Sequence, residues 1–292
     1  MPKDEANGPF HEASQVWFSG VKDALMLHKC IYFLAHSETI RFRTLQCFIL
    51  NGVIFLGSIL LFNFAVEPAL HFLKRLVQDD EADADLNFIA TSFSVLYKVL
   101  WIYPIYCISF VLNTVMYQEI ADSALRSTQR APVPGIPVLE RLIQETWRVL
   151  VNLVYLLEMY LLSYLPVIGP LLYFVHSCWM ASIYCFEYGW VHQRWSANAR
   201  VDYFERHWLY FFGFGFPVSF VSYFCPKFID AGVFALFFPL FVLTATRAEP
   251  KALQQCPRQL QKLPLFIIVQ GVSCFLVRLF EGGAGTSQTS KK

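Results

Sequence analysis

The feature that most limits the possible folds is an uncharged, strongly apolar run over residues 46–66. A membrane-spanning α-helix needs about 20 consecutive, mostly apolar residues, and this run meets that requirement. Arg41 and Arg43 stand just before it. A second apolar run, residues 86–118, contains Lys98 as its single charged residue. The sequence therefore predicts two long membrane-spanning helices.

Two further apolar stretches, residues 149–186 and 208–246, each contain a break. Pro166 and Pro170 interrupt the first, and Pro226 interrupts the second. Because proline ends helices, each stretch is interpreted as two helices joined by a tight turn. The arms are short for a complete span, which favours hairpins that dip into the bilayer and return, with a complete crossing as the alternative. Irregular backbone inside lipid must be buried in protein, which favours a homo-oligomer.

Between the two hairpins lies a charged and aromatic segment, residues 184–217, which we call the island. Its tyrosines and tryptophans are of the type that settles at the headgroup level of a bilayer. Exposed ion pairs contribute only about 0–1 kcal/mol, so pairs formed here matter only if they are partly buried. We expect two acids of the island, Glu187 and Glu205, to hold the hairpin bases together by pairing with its arginines, namely Arg194, Arg200 or Arg206.

The composition agrees with a membrane protein, because only 15% of the residues are charged, against about 25% in soluble domains. The net charge of +1 argues against a nucleic-acid partner, since such proteins carry a strong basic excess. No CxxC, HExxH or P-loop motif occurs. We therefore expect no metal, no cofactor, no catalytic residues and no enzymatic activity, with the lipid bilayer as the main partner.

Basic residues predict the orientation, because they are concentrated in the segments that precede the first span and follow the second span and each hairpin. The positive-inside rule makes that side cytosolic, with the N-terminus on it, and leaves the C-terminus open. The chain is then divided into a cytosolic N-terminal segment (1–44), a multipass helical domain (45–280) and a disordered tail (281–292). Apolar spacings of three and four predict an amphipathic helix over residues 10–25, either on the membrane surface or packed against the bundle.

Polar residues inside apolar segments are candidates for function. Asn51 and Asn113 could hydrogen-bond between the two spans. Glu158 could face His176 from the opposite arm of its hairpin, as in a proton relay or as a structural pair.

Two further pairs have structural and functional interpretations. Arg41 and Arg43, at a helix start, could contact an anion or a lipid phosphate, or could serve only to orient the span. Gly213 and Gly215 lack the remainder of a dinucleotide-binding fingerprint and are expected to allow close helix packing.

A set of positions in the island and its surroundings forms a recognisable pattern: residues 20–23, Asn51, Gly52, Leu100, Trp101, Pro104, Asn113, residues 117–122 with Gln118 and Asp122, residues 184–188 with Glu187, Trp190, Glu205, Trp208, Tyr210, Gly213, Gly215, Pro217 and residues 238–241. This pattern resembles the etoposide-induced protein 2.4 family of multipass endoplasmic-reticulum proteins. The likeness covers residues 20–245.

The resemblance implies a factor that supports macroautophagy at the endoplasmic reticulum, in autophagosome formation or maturation, with growth-suppressing roles in animals. We expect such a protein to scaffold or shape membranes together with autophagy or membrane-contact proteins. The broader family includes the bacterial sulfate permease CysZ, whose spanning helices and dipping hairpins are similar to those predicted here. An anion permease is therefore the alternative, with Arg41 and Arg43 nearest to its anion motif, although no Gly-Leu-Arg precedes the first span.

Overall fold

The computed structural model describes residues 9–69, 91–93, 95–127, 152–226, 229–248 and 262–267, and the single residues 72, 88 and 271. Every regular element in this part of the chain is a helix, which confirms the predicted all-α membrane class. The helices are α1 Pro9–Ala24, α2 Leu27–His36, α3 Glu38–Ala69, α4 Thr91–Ser127, α5 Asn152–Ser163, α6 Gly169–His192, α7 Ala197–Arg206, α8 Trp208–Tyr223 and α9 Ile229–Arg247.

The chain forms two compact units, each assembled from separate stretches of sequence. Unit 1 takes Met1–Ala24, Ala131–Ser219 and Glu249–Lys292, and unit 2 takes Leu25–Arg130 and Phe220–Ala248. The boundary predicted after residue 44 falls inside α3, and the predicted disordered tail lies outside the described residues. Unit 1 therefore contains α1, α5, α6, α7 and most of α8, whereas unit 2 contains α2, α3, α4 and α9.

Among the described residues, three helices are long and apolar enough to cross a membrane: α3, α4 and α9. The first two contain the predicted spans. The third has 19 residues, because its helix begins at Ile229, soon after the break at Pro226, and continues to Arg247. The described residues thus contain one more helix of spanning length than the two long spans that the sequence predicted.

The two predicted hairpins differ in how far the structure reproduces them. In the first, α5 and α6 are joined by a short turn over residues 164–168, in which Val167 has a φ of 67°. In the second, α8 up to Ser219 lies in unit 1 and α9 lies in unit 2. The depth to which either segment enters a bilayer stays a prediction.

Unit 2 brings α3 and α9 close together through glycines. A methyl group added at Gly232 of α9 would lie 3.3 Å from side-chain atoms of Phe55 and Leu56 on α3. One added at Gly52 of α3 would lie 3.1 Å from Leu236 of α9. Small residues allow this approach between helices, which is the usual way that membrane helices associate.

In unit 1, glycines on α8 allow close contact with a different helix on either side. A methyl group at Gly213 would overlap the backbone of Trp17 on α1, and one at Gly215 would overlap the carbonyl oxygen of Cys178 on α6. Gly20 of α1 faces the backbone of α8 in return. The expected packing role of these two glycines is therefore present, and the N-terminal helix adopts the second of its predicted placements, packed against another helix.

Candidate functional site

Polar side chains gather at two places, one in each unit. The first, which we call the Glu205 cluster, comprises Asp202, Glu205, Lys262 and Phe266 in unit 1. The side chain of Glu205 is only 3% exposed. Its Oε1 accepts a hydrogen bond from the backbone N–H of Phe266 at 3.0 Å, and its Oε2 lies 3.1 Å from Lys262 Nζ. Glu205 therefore docks the segment 262–266 onto α7.

The predicted arginine partner of Glu205 is wrong. Arg206 instead pairs with Asp202, Nε to Oδ2, at 2.7 Å. Arg206 is the next residue after Glu205, and successive side chains of a helix point about 100° apart around its axis. The guanidinium of Arg206 therefore points away from the buried carboxylate of Glu205. Hydrogen bonds from Arg206 and Lys262 lower the pKa of the exposed Asp202 carboxyl to about 2.

The ion pair predicted for Glu187 is present. Arg200 Nη1 lies 3.2 Å from Glu187 Oε1, and both side chains are only 12% exposed. Arg200 also donates from Nε to the carbonyl of Trp195 at 2.9 Å. Ser196 caps the start of α7 by accepting from the N–H of Ala199 at 3.3 Å. This pair thus joins the end of α6 to α7 in a largely buried position, which is the condition under which the clamp was expected to matter.

Several island aromatics form the core of unit 1 and do not lie at an interface. Tyr188, Trp190 and Tyr210 are 0%, 5% and 0% exposed, respectively. The Tyr210 hydroxyl donates to Asp23 of α1 at 2.8 Å. The predicted headgroup position is wrong for these three residues, because each is covered by protein. A count of amphipathic aromatics does not distinguish burial under a neighbouring helix from burial in headgroups.

Side-chain bonds to backbone join α6 to α8. Trp179 donates from Nε1 to the carbonyl of Trp208 at 3.0 Å. Ser182 donates to the carbonyl of Phe211. Pro217 lies inside α8, beyond these contacts. The predicted site residue Trp208 therefore contacts α6 through its backbone carbonyl as well as through its ring. The backbone contact cannot be predicted from the type of side chain.

Glu158 and His176 do not form the suggested pair in the part of the chain that the structure describes. His176 Nδ1 contacts the carbonyl of Leu172 at 2.9 Å, and the hydroxyl of Tyr155 lies 3.4 Å from the carbonyl of His176. Glu158 Oε2 is buried and has no hydrogen-bond partner among the described residues. A proton relay through this pair is therefore not assembled.

The second gathering, which we call the Asn node, lies in unit 2. Asn51 and Asn113 exchange two hydrogen bonds, at 2.9 and 2.8 Å, and both side chains are buried. The expected bond between the two spans is thus present. Asn51 Nδ2 and the Tyr117 hydroxyl also donate to the carbonyl of Ala235, at 3.3 and 3.1 Å. Three helices, α3, α4 and α9, meet at this point.

Pro239 explains why that carbonyl accepts two side-chain bonds. It lies four positions after Ala235 inside α9, and a proline lacks the N–H that would otherwise bond to this carbonyl. Inside a membrane, side chains of neighbouring helices satisfy such freed groups. No sequence pattern identified Tyr117 as a donor or Ala235 as an acceptor at this point. The proline in an apolar helix was the available signal, but it does not reveal which helices face the free carbonyl.

The arginines proposed for anion contact lie near one end of α3. Arg43 Nε is 2.6 Å from Glu119 Oε2, and its Nη1 donates to Gln46 at 2.8 Å. Arg41 is exposed.

Two further predicted site residues, Gln118 and Asp122, lie one turn apart on α4. Asp122 accepts a hydrogen bond from the Gln118 amide at 2.8 Å. Among the described residues no group of three or more His, Cys, Asp or Glu side chains could hold a metal ion.

A model of the family described as sulfate transporter CysZ/etoposide-induced protein 2.4 matches residues 26–238. The chain is similar to "Protein EI24 homolog" of Arabidopsis thaliana, with 30% identity over 91% of this chain and 94% of that one. It is also similar to "Protein EI24 homolog" of Dictyostelium discoideum, with 30% identity over 91% and 84%. "Ectopic P granules protein 4" of Caenorhabditis elegans is 31% identical over 51% of this chain and 48% of its own. These descriptions name no enzyme, and no solved structure matches the chain.

Proposed function

The chain belongs to the family of sulfate transporter CysZ and etoposide-induced protein 2.4, and we propose that it is a multipass membrane scaffold that supports macroautophagy. In this proposal it lies in the endoplasmic-reticulum membrane with its N-terminus in the cytosol. It acts in autophagosome formation or maturation by holding membrane in place for autophagy or membrane-contact proteins, and it self-associates. The support for a role in autophagy is the family likeness of the island and of the spans.

The observation that favours a scaffold over a permease is the ion pair between Arg43 and Glu119, with 2.6 Å between Nε and Oε2. A carboxylate at this distance competes directly with any anion for the same guanidinium. Three further contacts of buried or half-buried polar side chains also use protein partners. Asn51 bonds Asn113, Glu187 bonds Arg200, and Glu205 bonds the segment 262–266.

Removal and replacement of the protein in cells tests the scaffold. Cells that lack it should clear autophagic cargo more slowly, measured as cargo turnover with and without a lysosomal inhibitor. The wild-type chain should restore the rate, and a variant with Asn51→Ala and Asn113→Ala, which loses the bond between the spans, should restore it only in part. Normal clearance in the absence of the protein, or recovery of the protein in the cytosolic fraction, would contradict the proposal.

A permease for sulfate-like anions is the second candidate, because the family description names a sulfate transporter. Purified protein in liposomes would then take up sulfate, and Arg41→Ala with Arg43→Ala would abolish uptake. Glu119→Gln sharpens the experiment, because it removes the carboxylate that occupies Arg43. A permease that uses Arg43 should transport faster in this variant, whereas a scaffold should show no uptake with any of the three chains.

A further inference from the structure

One strongly basic side chain of unit 2 is held in place by aromatic rings and has no acidic partner among the residues that the structure describes. Arg247 is the last residue of α9. Its Nε is buried and has no hydrogen-bond partner among the described residues. A guanidinium carries five N–H donors in a planar fork. A buried donor without an acceptor costs free energy, so other contacts have to stabilise Arg247 in this position.

Two aromatic rings of α2 hold the guanidinium. Arg247 Cζ lies 5.0 Å from the ring centroid of Phe33 and 5.8 Å from that of Tyr32. Both distances are within the range of cation–π attraction, which orients the fork without consuming its N–H donors. Cys30 of α2 also donates from Sγ to the carbonyl of Leu240 on α9 at 3.3 Å. The two helices are therefore attached to one another, and the rings keep Arg247 in one place.

The surroundings of Arg247 indicate the kind of acceptor. α9 is long and apolar enough to cross a membrane, so its terminal arginine is expected at the depth of the lipid headgroups. α2 buries Cys30 and Phe33 but leaves Ile31 68% exposed. It carries Lys29 and two histidines and has no Asp or Glu. An exposed apolar face combined with positive charge is typical of a helix that lies in the interface of an anionic bilayer.

We propose that Arg247, held against the rings of Tyr32 and Phe33, binds the phosphate of an anionic phospholipid. The fork of an arginine matches two phosphate oxygens at once, and phosphate is the acceptor that a bilayer supplies at this depth. The site differs from the one expected at Arg41 and Arg43, because Arg43 already has Glu119 as its partner. The lipid holds the junction of α2 and α9 at the membrane surface.

The alternative role of Arg247 is structural. A cation at the C-terminal end of a helix is favoured by the helix dipole and often bonds the last free carbonyls. Its Nε makes no such bond among the described residues, but the dipole would still favour a positive charge. The experiment must therefore separate charge alone from recognition of phosphate by the fork.

Purified full-length protein is titrated with short-chain phosphatidic acid, and binding is measured as a shift in thermal unfolding and by native mass spectrometry. Arg247→Gln should weaken binding about 10-fold, since a charge-assisted bidentate contact is lost. Arg247→Lys keeps the charge but lacks the fork, and its affinity for phosphatidic acid should lie between those of the wild type and Arg247→Gln. Arg126→Gln removes an exposed arginine at the end of α4 in the same unit and should bind like the wild type. Phosphatidylcholine and inorganic phosphate, at equal concentration, should bind at least 10-fold more weakly than phosphatidic acid.

Three results would overturn the proposal. The first is equal weakening by Arg247→Gln and Arg126→Gln, which would mean that net charge alone attracts the lipid. The second is binding of inorganic phosphate as tight as that of phosphatidic acid, which would make the site one for free anions. The third is the absence of phosphatidic acid binding by the wild type. If Arg247→Gln does not fold, Arg247→Lys decides the outcome, because wild-type affinity in that variant would exclude recognition by the fork.

Discussion

The carbonyl of Ala235 shows how a single residue can explain the positions of several others. Pro239 leaves this carbonyl without its helical partner, and Asn51 and Tyr117 supply hydrogen bonds from two neighbouring helices. The Asn node is therefore a consequence of the proline as much as of the asparagines. This relation connects three positions that the family likeness includes separately.

A double-mutant cycle tests that relation. Tyr117→Phe removes one donor and should destabilise the protein by about 1 kcal/mol, the usual net value of a hydrogen bond. In a Pro239→Ala background residue 239 supplies its own N–H to the carbonyl, so the same change should cost close to nothing. Unfolding of the four proteins in mixed detergent micelles measures the coupling. Equal costs in the two backgrounds would show that Tyr117 acts independently of the proline.

The buried pair of Glu187 and Arg200 leads to a second residue-level prediction. Both side chains are 12% exposed, so Glu187→Ala leaves a mostly buried cation without its partner and should lower stability by about 2 kcal/mol. Asp202→Ala breaks two exposed ion pairs, one with Arg206 of the same helix and one with Lys262, and should change the unfolding midpoint far less. Thermal unfolding of the two variants side by side is the measurement. A midpoint of Glu187→Ala no lower than that of Asp202→Ala would remove the proposed clamp.

Contacts between elements depend on where glycines lie, and α8 is the clearest example. Gly213→Ala should separate α1 from α8, because the added methyl overlaps the backbone of Trp17. Gly189→Ala on α6 is a matched control, since a methyl there meets no atom within 4 Å. It should leave stability equal or raise it by about 0.5–1 kcal/mol, as replacement of a helical glycine does. Unfolding temperature and protease sensitivity of α1 distinguish the two variants, and an intact α1 contact in Gly213→Ala would contradict the packing.

The elements themselves follow from short-range patterns, which is why the sequence predicts them well. Uncharged runs gave α3 and α4, because the length of such a run is set by the thickness of the bilayer. The prolines at 166 and 170 placed the turn between α5 and α6. The length of α9 was underestimated because the helix begins as early as Ile229 and continues through Pro239 to Arg247. The Asn node satisfies the carbonyl that this proline frees.

The Glu205 cluster could not be predicted in the same way. Glu205 and Phe266 are separated by 61 positions. The donor to Glu205 is a backbone N–H, which almost every residue type has, so the sequence does not indicate which residue provides it. Charge pairing suggested an arginine within the island, which was correct for Glu187 and wrong for Glu205. Long-range docking of an irregular segment depends on the complete fold and not on local spacing.

At the scale of the whole molecule, the segment 262–266 completes unit 1. Phe266 is 1% exposed, with ring centroids 5.3 Å from Tyr155 and 5.7 Å from Phe204. Phe266→Ala should destabilise unit 1 by about 3–5 kcal/mol, as loss of a buried phenylalanine does. Ile267→Ala, one residue further on and 64% exposed, is the matched control and should cost little. Hydrogen exchange of α7 should rise in the first variant only, and unchanged exchange there would show that the segment is not part of the unit.

The division of unit 1 among three stretches of sequence has a consequence for biosynthesis. The face of α1 around Gly20 packs against α8, which is synthesised about 190 residues later, so at 5–20 residues per second this face waits roughly 10–40 s for its partner. The docking of Phe266 by Glu205 comes later still, after α9 of unit 2 has left the ribosome. Unit 1 therefore matures only after residue 266 has been synthesised, and until then the insertion machinery or a chaperone has to shield the surfaces that α8 and the segment 262–266 will cover.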